Sequence, residues 1–361
     1  MKIVGTIVEY NPLHTGHIYA IEEIKKQSQA DVLVAVISGN FTMRGDLSLF
    51  DKFEKTRQAL RAGIDLVIEL PFVCAVQNAD FFANNAIQLL HLAHVSEVWI
   101  GSEANNPSLY EAYYQKWLEP ESQKKIKELI SLGKSYKEAT ASIIQLSSND
   151  ILGFSYYKAI QKNNLPISLH TIKRIGSFDS LEAEQFASAY AIRSDLSLMN
   201  TYCPPYVQSK LIRDKTLLFP FLKYQIMNSS INDLRNIGFV EEGLEHKVKE
   251  IFAFASIDAF VEYLSTKRYT KSRIQRMLAY ILFNIKKDEI PTDLNFLRIL
   301  GYSRMGQAHL GSIKKKASIF TNIKEGLHPI LDIEIKISKI MDIIYSSSLM
   351  KKEQGKPIEK D

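Results

Sequence analysis

Cysteine is scarce: Cys74 and Cys203 are the two in 361 residues. Two cysteines build neither a disulfide framework nor a four-cysteine zinc site. A reducing, cytoplasmic setting is therefore expected. No apolar run is long enough to cross a bilayer. The chain starts directly on a strand-like apolar run, so no secretory signal is expected. Internal repeats and low-complexity tracts are missing. Neither sign of charge dominates, with 45 Lys+Arg against 40 Asp+Glu. His91 and His94 stand three apart without carboxylates or cysteines at ligand spacing, so no protein metal site is expected.

What is present is ordinary globular material, with 46% hydrophobic residues on a chain long enough for two domains. The charge is unevenly placed. Residues 1–180 carry 18 Lys+Arg against 19 Asp+Glu, and residues 181–361 carry 27 against 21. The second half is thus the basic half, suited either to a polyanion such as RNA or to a solvated helical surface.

The first hundred residues alternate in kind. Lys2–Val8, Val32–Ile37, Asp65–Leu70 and Glu97–Ile100 read as strands, and Pro166–Ile172 as a fifth. Ile18–Lys26, Phe50–Ala62 and Ala79–Leu92 read as helices. That alternation predicts an α/β fold, a Rossmann-like doubly wound parallel sheet. Residues 107–148 read as a polar helical insertion. From about Leu181 the signals are almost all helical, and Cys203-Pro204-Pro205 marks a break. The expected organisation is a nucleotide-binding domain over 1–200 and a basic helical domain over 201–361.

In such a sheet, ligands gather beyond the carboxyl ends of the strands. Four such ends carry polar, glycine or acidic residues: Glu9-Tyr10-Asn11, Ser38-Gly39-Asn40, Glu69, and Gly101-Ser102-Glu103. These are expected to converge, with Lys173 and Arg174 facing the same cleft. The most telling string is His14-Thr15-Gly16-His17. It sits where the first strand, broken by Asn11 and Pro12, gives way to a helix with Ile18, Ala20, Ile21 and Ile24 on one face. Helix N-terminal N–H groups and two imidazoles at one corner suit a polyphosphate. Two unrelated histidines beside a turn are the competing reading.

GTIVEYNPLHTGH, SGNF with Arg44-Gly45, DLVIELP, GSE, NDILG and KRIG together resemble the tRNA(Met) cytidine acetate ligase family, a branch of the HxGH nucleotidyltransferases. The resemblance spans essentially the whole chain. It implies that ATP, with Mg2+, and acetate give acetyl-adenylate and pyrophosphate. The acetyl group then passes to N4 of the wobble cytidine (position 34) of elongator tRNA(Met), giving N4-acetylcytidine and AMP. It implies catalytic roles for His14 and His17 on the α and β phosphates. It also implies nucleotide contacts from Ile7, Val8, Glu9, Tyr10, Asn11, Pro12, Leu13, His14, Thr15, Gly16, His17, Ile18, Tyr19 and Ala20, and from Gly101, Asn149, Arg174, Ser188 and Arg193. A helix N-cap is the competing, less favoured reading of Asn149.

Asn40 and Arg44 are the expected acetate pocket, with Phe41 and Met43 as its wall or as plain core. Asp51 and Lys52 read as a helix-start pair. The basic run Lys267, Arg268, Lys271, Arg273 and Arg276 precedes an apolar helix, and a second cluster holds Arg298, Tyr302, Arg304, Lys314, Lys315 and Lys316. By resemblance this region contacts tRNA. Three departures stand out: Met43 where the family has Gln, Tyr190 where it has Thr, and Ser177–Ser180 where it has an aromatic-His pair. A small-molecule nucleotidyltransferase and a non-catalytic RNA-binding module are the alternatives.

Overall fold

The computed structural model describes residues 1–134, 136–174, 187–208, 213–241 and 243–360. Ile175–Ser180, which include the third departure, lie outside them.

Strand β1 is Ile3–Val8, β2 Val32–Ser38, β3 Leu66–Leu70, β4 Glu97–Ser102 and β5 Ser168–Lys173. All five are parallel, in the order β5-β4-β1-β2-β3. β2, Val-Leu-Val-Ala-Val-Ile-Ser, is buried along its whole length. A near-continuous β-branched run is what a strand covered on both faces requires. Helix Thr15–Ser28 links β1 to β2, Lys52–Ala62 links β2 to β3, and Ala79–Leu92 precedes β4. Gly5 lets Ala79–Leu92 close on β1, since a Cβ there would meet Leu90 Cδ2 at 2.7 Å. The insertion forms three helices, Ser108–Leu118, Pro120–Ser131 and Tyr136–Ala141, before helix Ser148–Lys162 returns to β5.

The later part of the chain adds to this sheet. β6 (Phe296–Tyr302) pairs antiparallel with β3, and β7 (Ser318–Phe320) and β8 (Ile358–Glu359) pair with β6. These strands depart from the nearly all-helical reading beyond Leu181. The reason is long-range. Arg298 in β6 is 1% exposed and pairs with Glu353 at 2.9 Å, so it belongs to the core and not to a basic surface.

Lys52 sits in the same buried cluster, bonded to Glu69 at 2.6 Å, Glu353 at 2.5 Å and Glu334 at 3.2 Å. Burial raises the Glu69 carboxyl, against the pull of Lys52 and Arg298. Glu69 is thus an internal charge partner, not a cleft residue, and Lys52 is far more than a helix-start residue. Asp51 is the N-cap, accepting from Glu54 N at 2.8 Å.

Candidate active site

The chain runs from β1 to β2 and β3 on one side, then to β4 and β5 on the other. The strand order therefore reverses between β1 and β4, where open α/β sheets bind ligands. A cleft of about 290 Å³ opens there. The end of β1, the end of β4, Ile172–Arg174, the Thr42–Asp46 turn and Ala187–Arg193 line it.

His14 is the N-cap of helix Thr15–Ser28, and its Nδ1 accepts from Gly16 N at 3.1 Å. His17 Nδ1 accepts in turn from His14 N at 3.3 Å. This is a capping box made of imidazoles instead of Ser and Glu. The rings lie 3.8 Å apart, and Tyr10 meets His17 edge-on at 5.0 Å. Burial, with Arg174 and Arg193 near, pushes His14 down to about 3. Burial, then His14 and Arg174, hold His17 well below its ordinary value. Both rings are therefore neutral at pH 7. A neutral imidazole whose Nδ1 accepts carries its proton on Nε2. Each ring thus offers one N–H donor.

Three arginines, Arg44, Arg174 and Arg193, line the same cleft. Arg193 donates to Asn11 O at 2.6 Å, which holds helix Ala189–Ser194 against the β1 loop. Ser188 caps that helix, accepting from Ala191 N at 3.0 Å. Arg174 lies across Gly101 and stands 3.8 Å from Glu103. Glu103 also accepts from Asn149 Nδ2 at 2.5 Å. Asp150 fixes this corner, accepting from Ser102 Oγ at 2.5 Å, Tyr110 Oη at 2.7 Å and Ala104 N at 3.1 Å. Asn149 is not the N-cap of its helix; Ser147 is.

Of the expected nucleotide residues, Ile7–Asn11, His14, Gly16, His17, Tyr19, Ala20, Gly101, Asn149, Arg174, Ser188 and Arg193 line the cleft. Pro12, Leu13, Thr15 and Ile18 do not. Leu13 is fully buried, and Ile18 packs against the hydrophobic core. The expected acetate pair divides. Arg44 lines the cleft, but Asn40 faces away, accepting from Arg213 Nη1 at 3.2 Å and Lys52 N at 3.3 Å. Phe41 is core, packed edge-on to Phe72 and Phe283.

Sequence reading missed Arg213 and Lys55. Arg213 donates to the carbonyls of Asn40, Ser48 and Phe50 and so shapes the loop after β2. Lys55, pushed down to about 7 by burial, donates to Ser38 O and Gly39 O at the end of β2. Both act through backbone carbonyls, which leave no local pattern. Asp46, also missed, follows Arg44-Gly45 directly, and an acid beside that pair was the available signal.

The basic residues separate into two places. Lys267 and Arg268 are exposed, just before helix Lys271–Leu282. Lys271 pairs with Glu262, and Arg273 with Glu241. Arg276 lies over Phe239, and its backbone touches the cleft turn. Arg304, Lys314 and Lys315 are exposed on helix Arg304–Ile313 and just beyond it. That helix starts where Ser303 N donates to Asp65 O, at the amino end of β3 and so across the sheet from the cleft. Among the described residues, no group of three His, Cys, Asp or Glu could hold a metal, and no helix is long and apolar enough to cross a membrane.

A doubly wound sheet with a histidine-capped first helix over its switch point defines a HIGH nucleotidyl transferase, and residues 1–356 match that family's model. The chain is 37% identical to the tRNA(Met) cytidine acetate ligase of Geobacillus sp. (strain WCH70), over 99% of each protein. It is 36% identical to that of Bacillus licheniformis, over 97% of this chain and 93% of that one. The crystal structure of apo Thermotoga maritima TmcAL superposes with a TM-score of 0.88 at 27% identity, covering all of both chains. The same protein bound with alpha-thio ATP gives 0.87 at 28%. The chain belongs to the tRNA(Met) cytidine acetate ligase family and is an enzyme of that family.

Proposed function

We propose that the enzyme joins acetate to ATP and passes the acetyl group to N4 of the wobble cytidine (position 34) of elongator tRNA(Met). An acetate oxygen attacks the α-phosphorus. Pyrophosphate leaves, and acetyl-adenylate remains in the cleft. The N4 amine then takes the acetyl group, and AMP is the second product.

The observation that carries this reading is the His14–His17 pair, two neutral donors at a helix N-terminus facing a cleft with three arginines. Attack on phosphorus needs fixed donors where negative charge develops. Donors held by backbone bonds need no reorganisation. His14 and His17 serve the α and β phosphates. Arg174 and Arg193 clamp the departing charge, with Ser188 placing Arg193's helix. Gly101 and Asn149 border the adenosine, and Arg44 is the cation for the acetate carboxylate. Magnesium enters on the nucleotide, with phosphate and water as its main ligands.

Residues 1–200 supply the nucleotide site, and 201–361 supply the tRNA face together with three strands of the shared sheet. Lys267, Arg268, Lys271, Arg273 and Arg276 form that face beside the cleft turn. Helix Lys271–Leu282 against this turn favours a polymeric acceptor over a mononucleotide. Arg304, Lys314 and Lys315 stand at the amino end of β3, the opposite end of the sheet from the cleft, and are not part of that face.

The test is labelled acetate with ATP, magnesium and unmodified elongator tRNA(Met). Label in N4-acetylcytidine, lost in His14→Ala and His17→Ala, supports the reading. Pyrophosphate released only with a small acceptor overturns it, as does tRNA binding without either activity.

A further inference from the structure

One group in the cleft has no task toward phosphate. Asp46 lines it beside Arg44, in a turn closed by Thr42 N donating to Asp46 O at 2.9 Å. A carboxylate next to a polyanion weakens binding. It therefore suits a different ligand, one that donates. Asp46 Oδ1 accepts from Gln275 Nε2 at 2.7 Å. Among the described residues, Oδ2 accepts no hydrogen bond, and no cation lies within 4.0 Å of the carboxylate. Gln275 sits on helix Lys271–Leu282, directly after Lys267 and Arg268. Asp46 and Gln275 also border a second, smaller cavity roofed by Leu218, Leu222, Ile257 and Leu278. The carboxylate thus stands where the nucleotide cleft meets the basic helical face.

We propose that Asp46 accepts the exocyclic N–H of the incoming cytidine and takes its proton during acetyl transfer, with Gln275 as its positioning residue. This rests on the acetyl-transfer reading above. N4 attacks the carbonyl carbon of acetyl-adenylate, and a C–N bond forms. The bond from that carbon to the phosphate oxygen breaks, and AMP leaves with the electron pair. The N4 proton goes to the Asp46 carboxylate. Because the cytidine N4 lone pair is delocalised into the ring, the amine is a weak nucleophile. A positioned proton acceptor then contributes a large factor.

The surroundings suit that task. Burial pushes the Asp46 carboxyl above the usual range, against the pull of Arg193, Lys215 and Arg44, and Asp258 adds to the rise. A carboxylate of raised pKa is a stronger base.

Two readouts separate the steps. Acetate-dependent exchange of pyrophosphate into ATP reports activation alone, and single-turnover acetylation of tRNA reports transfer. In Asp46→Asn, the ratio of transfer to exchange falls about 100-fold, within the usual range for a lost general base. Wild-type transfer rises with pH along an acid limb that Asp46→Asn lacks. Asp46→Glu restores part of the rate and shifts the limb. Gln275→Ala lowers transfer about tenfold and keeps the limb.

Equal losses of exchange and transfer in Asp46→Asn overturn the proposal, as does an acid limb that survives. If Asp46→Asn does not fold, the limb in Asp46→Glu decides: a shifted limb supports the proposal and an unmoved one ends it. Wild-type enzyme without acetate-dependent exchange removes the acetyl-transfer reading itself, before any variant is compared.

Discussion

Lys52 and Glu69 meet at 2.6 Å with neither side chain exposed to solvent. Lys52 opens the helix after β2, and Glu69 ends β3. Glu334 and Glu353, from the last helices of the chain, close on the same amine. Burial alone would pull the Lys52 amine down, but Glu353, Glu69 and Glu334 outweigh it and hold it charged. The distal end of the chain is therefore locked to the nucleotide-binding sheet by charge as well as by strand pairing.

Lys52→Met leaves three carboxylates facing Arg298 without their central cation. Removing one partner of a buried network costs about 3–5 kcal/mol. Urea unfolding should show a loss of that size. A loss below about 1 kcal/mol would show that the network is replaceable.

The two motif histidines make stability depend on pH. Burial holds His14 near 3 in the folded enzyme, against 6.5 ordinarily. His17 is lowered in the same sense. Between those values the unfolded chain binds protons that the folded chain does not. Stability is full above pH 6.5 and is lost as pH falls toward 3. From pH 7 to 5 the cost is about 2 kcal/mol for His14, and His17 adds a cost of the same sign. Unfolding of wild type and of His14→Asn/His17→Asn at both pH values isolates this term. Equal acid losses in the two proteins would contradict it.

Gly45 joins the cleft to the helical face. Its φ is +87°, and a Cβ there would lie 2.5 Å from Arg276 N. Gly45→Ala meets both left-handed strain and a backbone clash, at about 1–3 kcal/mol. Its transfer to tRNA should fall along with its stability, because the turn carrying Arg44 and Asp46 must move off the helix. A variant as stable and active as wild type would show the packing there to be slack.

Lys267 and Arg268 are exposed at the start of the basic helix. Lys267→Ala/Arg268→Ala should weaken tRNA binding and lower the slope of log K against log salt by about 1 for each phosphate no longer neutralised. Lys314→Ala/Lys315→Ala, across the sheet, should leave that slope unchanged. The opposite pattern would move the tRNA face to the other end of the sheet.

Much of this was written in local pattern. β1 to β5 and their helices fall within a few residues of where apolar periodicity puts them, because burial on one face repeats at the period of the element. Helix Ala79–Leu92 has the bounds that the pattern predicts. HTGH marked its corner because a cap needs a particular residue at a particular place. β6 was not legible as a strand. Its Arg298 reads as surface charge until Glu353, 55 positions away, is known to neutralise it.

The sequence by itself determined the α/β class, the histidine corner and the family, since each rests on residues close together in the chain. Tertiary structure decided which strand ends share the cleft, sending Glu69 and Asn40 into the interior and bringing Asp46 to Gln275. It also decided that the terminal third closes the sheet, and that the two histidines are neutral donors. These outcomes depend on distances between segments far apart in sequence, and on the loss of water around charged groups. No local pattern encodes either.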